Sequence, residues 1–225
     1  MPRIARIVVP GYPHHVTQRG NRRQPTFFGD EDYKLYRKLM AHWCTENRVA
    51  VWAYCLMPNH VHLVLVPSTE DGLRLAVGEA HRRYSRHVNF REDWRGHLWQ
   101  DRFGSCVMDE EHLLAATVYV ERNPVRAGLC KSPWQYRWSS ASAHVRKQDD
   151  ELVQVAPLLS RATDWKEFLR RDADEQKTSL LHRHQRTGRP LGGARFLKRL
   201  ERKLGIDLQP KKRGPKGPWK HKPII

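Results

Sequence analysis

His60-Val61-His62 sets two imidazoles two residues apart, and Tyr119 and Asn123 stand four apart, spacings that could together support metal-assisted chemistry on a phosphodiester. The histidines open the β-rich run His60 to Val66 (HVHLVLV). Side chains alternate along a strand, so both rings project from one face while Val61 points to the other. Two neutral imidazoles placed this way can share one divalent cation. The pair alone is weak evidence, because His182 and His184 repeat the spacing inside LLHRHQR, a basic stretch without a strand pattern where a solvated segment is the simpler expectation. Asn123 offers a hard carbonyl oxygen as a third ligand. Tyr119 shares a helix face with His112, Ala115, Ala116 and Asn123, and is expected to be presented outward beside small residues that leave room for a substrate backbone. Without Asn123 it would read as an amphipathic core residue with its hydroxyl hydrogen-bonded. Tyr84, in HRRYSRHVNF, is the rival nucleophile, but Val88 four residues on supplies no oxygen. A phenol of unperturbed pKa about 10 needs activation by a metal, a base or basic surroundings. The expected cofactor is Mg²⁺ or Mn²⁺, which would polarise the scissile phosphate. No GxxxxGK[ST] pattern for ATP is present.

These residues need a scaffold. His14 to Gln18 (HHVTQ) is a short strand candidate, followed by a basic loop, Arg19 to Gln24. Asp30 can cap a helix reaching about Asn47, with Leu35, Tyr36, Leu39, Met40 and Trp43 as its apolar stripe. Val49 to Leu56 and His60 to Val66 form a hairpin around Met57-Pro58-Asn59. Leu73 to about Phe90 is a second helix, and Ser105 to Met108 a short strand. Asp109 caps a third helix, Glu110 to Asn123, which is expected to stop at Pro124. Two strand–helix units predict an α+β, ferredoxin-like sandwich with a central antiparallel sheet and helices on one side.

The chain has 225 residues, 41 Lys/Arg against 24 Asp/Glu, and a net charge of +17, so its natural partner is a polyanion. No apolar run approaches a membrane span, and the start MPRIARIVVPGYP is too short in apolar residues for a signal peptide, which predicts a cytoplasmic, nucleoid-associated protein. Cys44, Cys55, Cys106 and Cys130 form no CxxC pair and read as reduced thiols. Residues 176–225 carry 15 Lys/Arg and 2 Asp/Glu, thus +13 of the total, so the basicity is mostly a tail property. A boundary near Lys147 divides a domain over 1–147 from a basic extension over 148–225. Within the extension Arg195 to Gly205 reads as a basic amphipathic helix that could bind duplex DNA, dock on the domain, or do both. The end, containing Lys211, Lys212 and Arg213, reads as disordered until it meets phosphates. Arg19, Arg22, Arg23 and Arg102 are further candidates for nucleic-acid contacts, and Trp99 or Phe103 for base stacking, with core packing the alternative for each aromatic.

Four segments resemble, in order, the REP-associated tyrosine transposases of the single-tyrosine HUH group: Tyr12 to Arg23 (YPHHVTQRGNRR), Leu56 to Val64 (LMPNHVHLV), Gly96 to Ser105 (GHLWQDRFGS) and Tyr119 to Gly128 (YVERNPVRAG). The resemblance implies that His60 and His62 are the HUH metal ligands and Tyr119 the nucleophile, with Asn123 standing where the wider group often has glutamine. It also implies cleavage of single-stranded DNA near a hairpin through a covalent 5′-phosphotyrosine. The first segment departs from its relatives, which usually begin with glycine and aromatic residues, in reading Tyr12-Pro13-His14-His15.

Overall fold

The computed structural model describes residues 6–162, 164–170 and 175–208. Strand β1 (His14–Arg19), helix α1 (Asp30–Glu46), strands β2 (Val49–Met57) and β3 (His60–Pro67), helix α2 (Gly72–Arg91) and strand β4 (Gly104–Val107) follow one another as two β-α-β units. They interleave into one antiparallel sheet of order β2-β3-β1-β4. This is the ferredoxin-like sandwich that the pattern predicts, except that helices cover both faces of the sheet and not one side only, because both faces carry apolar residues.

Alternation sorts the sheet's two faces. Val16, Val49, Val51, Tyr54, Leu56, Val61, Leu63 and Leu65 pack beneath α1 and α2, whereas Ala53, Cys55, Met57, Val64 and Cys106 point the other way. Val51 and Tyr54 share a face because the β2–β3 register shifts between Val51 and Ala53, where an irregularity in β2 changes the phase. On α1, Tyr36 and Met40 are fully buried, and Leu35, Leu39 and Trp43 pack partly buried against the same core. Gly29, not Asp30, is the N-cap, and the carboxylate that secures the preceding loop is that of Asp32, which accepts the Phe28 amide at 2.8 Å.

A third helix, α3 (Glu110–Arg126), covers the face that α1 and α2 leave open. It does not stop at Pro124 as predicted. Asn123 stays helical and the helix runs two residues past the proline, whose ring is buried. Proline removes one backbone donor, and tertiary packing of this segment outweighs that local loss. Asp109 is the N-cap, accepting the His112 amide at 3.0 Å, and it also accepts the Gly193 amide at 2.8 Å. Asp109→Ala should therefore cost about 1–2 kcal/mol, and hydrogen exchange should show the chain around Gly193 loosening with the start of α3.

Helices α4 (Ala141–Arg146), α5 (Ala156–Leu159), α6 (Trp165–Arg170), α7 (Glu175–Thr187) and α8 (Ala194–Leu204) complete the described chain. The boundary placed near Lys147 does not coincide with a break in packing. Leu152, Val153 and Val155 belong to the core under α1, while Leu158, Trp165, Leu169, Leu181 and Leu191 belong to the core under α3. The expected amphipathic helix is α8, closed by Gly205 at φ +65°, a left-handed turn that suits glycine. It docks on the domain, burying Phe196 and Leu200 against Val9, Val107 and Leu208. Lys211, Lys212 and Arg213 lie outside the described residues. Cys44, Cys55 and Cys106 are buried and unpaired, with burial pushing the Cys44 and Cys106 thiols up to about 12. Among the described residues no helix is long and apolar enough to cross a membrane.

Candidate active site

The β2–β3 hairpin turns through Pro58-Asn59, so Met57 pairs with His60 and β3 begins on the first histidine. The turn is clamped from outside. Gly20 and Thr26 donate their amides to the carbonyls of Asn59 and Pro58, both at 2.8 Å. Gly20 has no room for a side chain there, since a Cβ would collide with the Gln24 carbonyl. His60 and His62 therefore leave a fixed base on the same sheet face, with ring centres 5.0 Å apart, while Val61 enters the opposite core.

Each ring has one nitrogen committed and one uncommitted. His60 Nδ1 hydrogen-bonds to Asn59 Oδ1 at 2.6 Å. His62 Nδ1 meets His15 Nε2 at 3.0 Å, across a stack of the two imidazoles, and its Nε2 is buried without a partner. Burial, helped by Arg19, holds His60 down to about 4. Burial and then the neighbouring His15, His60, His182 and Arg19 push His62 well below the usual imidazole range. Both are therefore neutral near pH 7, the form that donates a lone pair.

These features fit a metal-ligand pair, with one nitrogen of each ring oriented by a hydrogen bond and the other left to bind. Among the described residues no three His, Cys, Asp or Glu side chains form a metal cluster. A third protein ligand would therefore be of another type. Asn123 is 8 % exposed and its side-chain Nδ2 is buried without a partner. Turning the amide end for end would present its oxygen instead.

Tyr119 is not turned outward. It is 5 % exposed and lies on the sheet side of α3, its ring edge-on to His62 at 5.4 Å and to His15 at 6.2 Å. The guanidinium of Arg126 sits over the same ring at 4.9 Å. Tyr119 falls on the face of α3 that carries Leu113, Ala116 and Val120 into the core against the sheet, while Glu110 and Glu111 take the exposed positions. The rival Tyr84 is fully buried on the other side of the sheet, donating its hydroxyl to the Thr26 carbonyl at 2.6 Å, with its phenol pushed above the usual range chiefly by burial.

A groove of about 410 Å³ opens beside the histidines, and Arg19 and Arg102 line it together with His60 and His62. Arg22 and Arg23 are exposed on the adjoining 3₁₀ turn Asn21–Arg23. Both have left-handed backbone, at φ 52° and 63°, a conformation non-glycine residues adopt at a cost and keep only when the surroundings impose it. Here the Asn59 side chain holds the Arg23 carbonyl at 3.0 Å. Trp99 is a core residue, 7 % exposed, stacked on His81 at 4.7 Å and packed near Tyr36 and Tyr84. That packing leaves its ring no open face for a base. Phe103 is 9 % exposed and its face is taken by Arg6 at 3.6 Å.

Sequence reasoning missed three contributors. His15 is one strand position from the expected run's start, and only the β1–β3 register brings it to His62. Glu121, a lone acid within VYVERN, is fully buried and bonded to His144, Ser140 and Trp165. His182, assigned to a solvated segment, lies edge-on to Tyr119 at 5.1 Å and lines the groove.

Fold and site together define an α+β sandwich whose antiparallel sheet carries a histidine pair facing a helix-borne tyrosine. The family model described as Transposase IS200 like matches residues 9–123, just over half of the chain, and the chain belongs to that family. Among solved structures it is similar to a REP-associated tyrosine transposase bound to a REP hairpin. The two share 19 % identity and a TM-score of 0.57 over 67 % of this chain and 90 % of that one, a likeness of fold. A candidate transposase from Deinococcus radiodurans R1 shares 20 % identity over 54 % of this chain and 94 % of that one, with a TM-score of 0.37, too loose to carry an argument. A comparison with curated proteins gives no match.

Proposed function

We propose that the protein cleaves and rejoins single-stranded hairpin DNA in a metal-dependent reaction that passes through a covalent 5′-phosphotyrosine on Tyr119. The observation that carries this reading is the meeting of Tyr119 and His62, 5.4 Å between ring centres, across the α3–β3 contact. His60, His62 and Asn123 would hold Mg²⁺ or Mn²⁺. When bound, such an ion would polarise the scissile phosphate and offset the charge that develops on it.

The chain's own residues do the rest. The Tyr119 oxygen attacks phosphorus, a Tyr–O–P bond forms, the bond from phosphorus to the 3′ oxygen breaks, and the phenol's proton is released as the departing 3′ oxygen gains one. Attack by a 3′ hydroxyl on the phosphotyrosine reverses the bonding and frees the enzyme, so no nucleotide cofactor is consumed. Arg19 and Arg102 along the groove, with Arg22 and Arg23 beside it, neutralise backbone phosphates. The family membership and the hairpin bound by the REP-associated relative support a hairpin partner. Duplex DNA held by the basic tail is a further expected contact, and the site of action is the cytoplasm, at the nucleoid.

The test is to incubate the protein with labelled single-stranded hairpin DNA and Mg²⁺ or Mn²⁺ and resolve the products under denaturing conditions. A protein–DNA adduct that requires the metal and disappears with chelator is expected. Cleavage with no adduct would instead indicate a hydrolytic nuclease, and binding with neither cleavage nor adduct a non-catalytic DNA-binding protein.

A further inference from the structure

We infer that helix α7 is a working part of the active site and that His182 on it is a positioning residue for Tyr119. The inference rests on the reading of Tyr119 as the nucleophile. It concerns residues outside the stretch matched by the family model, which ends at residue 123.

Helix α7 carries Lys177, Arg183 and Arg186 against Glu175, and its histidine spacing alone favours a solvated segment. Its packing is otherwise. Leu181 is 2 % exposed within the core under α3. Lys177 pairs with Glu111 of α3 at 2.8 Å, and Gln185 Nε2 donates to Thr17 Oγ1 at 2.6 Å. Thr17 is the β1 residue directly opposite His62. The helix is therefore pinned to both elements that carry the site, α3 on one side and the histidine end of the sheet on the other. Gly104 admits this approach, because a Cβ there would already press on the Gln185 carbonyl at 3.3 Å.

Pinned this way, α7 presents its two histidines differently. His184 hydrogen-bonds to the Arg189 carbonyl at 3.1 Å and serves the turn that follows the helix. His182 faces the groove, its ring perpendicular to that of Tyr119 at 88° with centres 5.1 Å apart. The tyrosine ring is thus bounded by His62, His182 and the Arg126 guanidinium. A phenol that must reach a phosphorus atom gains from such confinement, since misplacement of an attacking group by about 1 Å can cost on the order of a hundredfold in rate. Arg186 lines the same groove as Arg19 and Arg102 and would supply a further cation for the DNA backbone.

The test uses full-length protein and the hairpin oligonucleotide that gives an adduct with the wild type, under single-turnover conditions. His182→Ala should slow adduct formation at saturating DNA by about tenfold while leaving the DNA dissociation constant within about twofold. Because His182 is exposed on one side, the thermal midpoint should stay unchanged. His182→Phe, which keeps a ring against Tyr119, should recover most of the rate. Arg186→Ala should instead weaken binding and lower the salt slope by about one. Unchanged or faster adduct formation in His182→Ala would overturn the inference, the faster case meaning that α7 obstructs the groove. A His182→Phe variant as slow as His182→Ala would overturn the positioning role. A wild-type protein that forms no adduct removes the nucleophile reading itself, whereas normal adduct formation by all three variants removes only the role of α7.

Discussion

Tyr119→Phe is expected to abolish the covalent adduct, with a fall of more than about a thousandfold, while hairpin binding and the thermal midpoint stay near wild type. Loss of a nucleophile is among the most costly changes an active site can suffer. The variant is clean because the ring's contacts with His15, His62, His182 and Arg126 are made by carbon faces and edges that phenylalanine retains. Gel analysis after denaturation reads the adduct directly. An undiminished adduct would show that another group attacks the DNA. Tyr84 could not replace Tyr119 without leaving the core on the far side of the sheet, where its hydroxyl is already committed to the Thr26 carbonyl.

The second large effect is on stability. Glu121 is fully buried, and its carboxylate accepts from the Ser140 hydroxyl, from His144 Nδ1 at 2.7 Å and from Trp165 Nε1 at 2.8 Å. Ser140 in turn takes the Tyr54 amide of β2 at 2.9 Å. One carboxylate therefore ties α3 to α4, α6 and the sheet. Glu121→Ala would leave His144 Nδ1 and Trp165 Nε1 buried without an acceptor, with the Ser140 hydroxyl keeping only the Tyr54 carbonyl at 3.2 Å, and would open a cavity, a cost of about 3–5 kcal/mol. For a chain of this size that lowers the thermal midpoint by roughly 10 °C. Glu121→Gln, which keeps an acceptor, should be milder. Glu121 lies two residues from both Tyr119 and Asn123, so a partly stable Ala variant should also lose adduct formation as α3 shifts. A thermal midpoint within about 2 °C of wild type would show that the network does not hold the helix.

Much of this architecture follows from local pattern. The hairpin, the short β4 strand, the stripe on α1 and the glycine-closed α8 all follow from alternation, helical spacing and turn chemistry, which act over a few residues. Pro124 shows where local rules lose. Its missing donor predicts a helix end, but the buried segment around it keeps the helical path to Arg126. Trp99 shows the same limit for function. An aromatic in a basic, glycine-containing segment could stack on a base or fill a core, and its contacts with His81, Tyr36 and Tyr84 decide for the core.

By itself the sequence determined that His60 and His62 share a face, since a strand has a period of two, and that Tyr119 and Asn123 lie one turn apart on one helix. It determined the order of elements and the four segments by which the family could be suspected. Only the tertiary structure decided that Tyr119 turns inward to His62, that His15 backs that histidine, that Glu121 anchors α3, and that α7 brings His182 to the same ring. Each of these depends on which of two possible faces is covered, and by what. That choice is made by contacts between residues far apart in the chain, such as His62 with Tyr119 and Tyr119 with His182, on which the spacing of neighbouring residues carries no information.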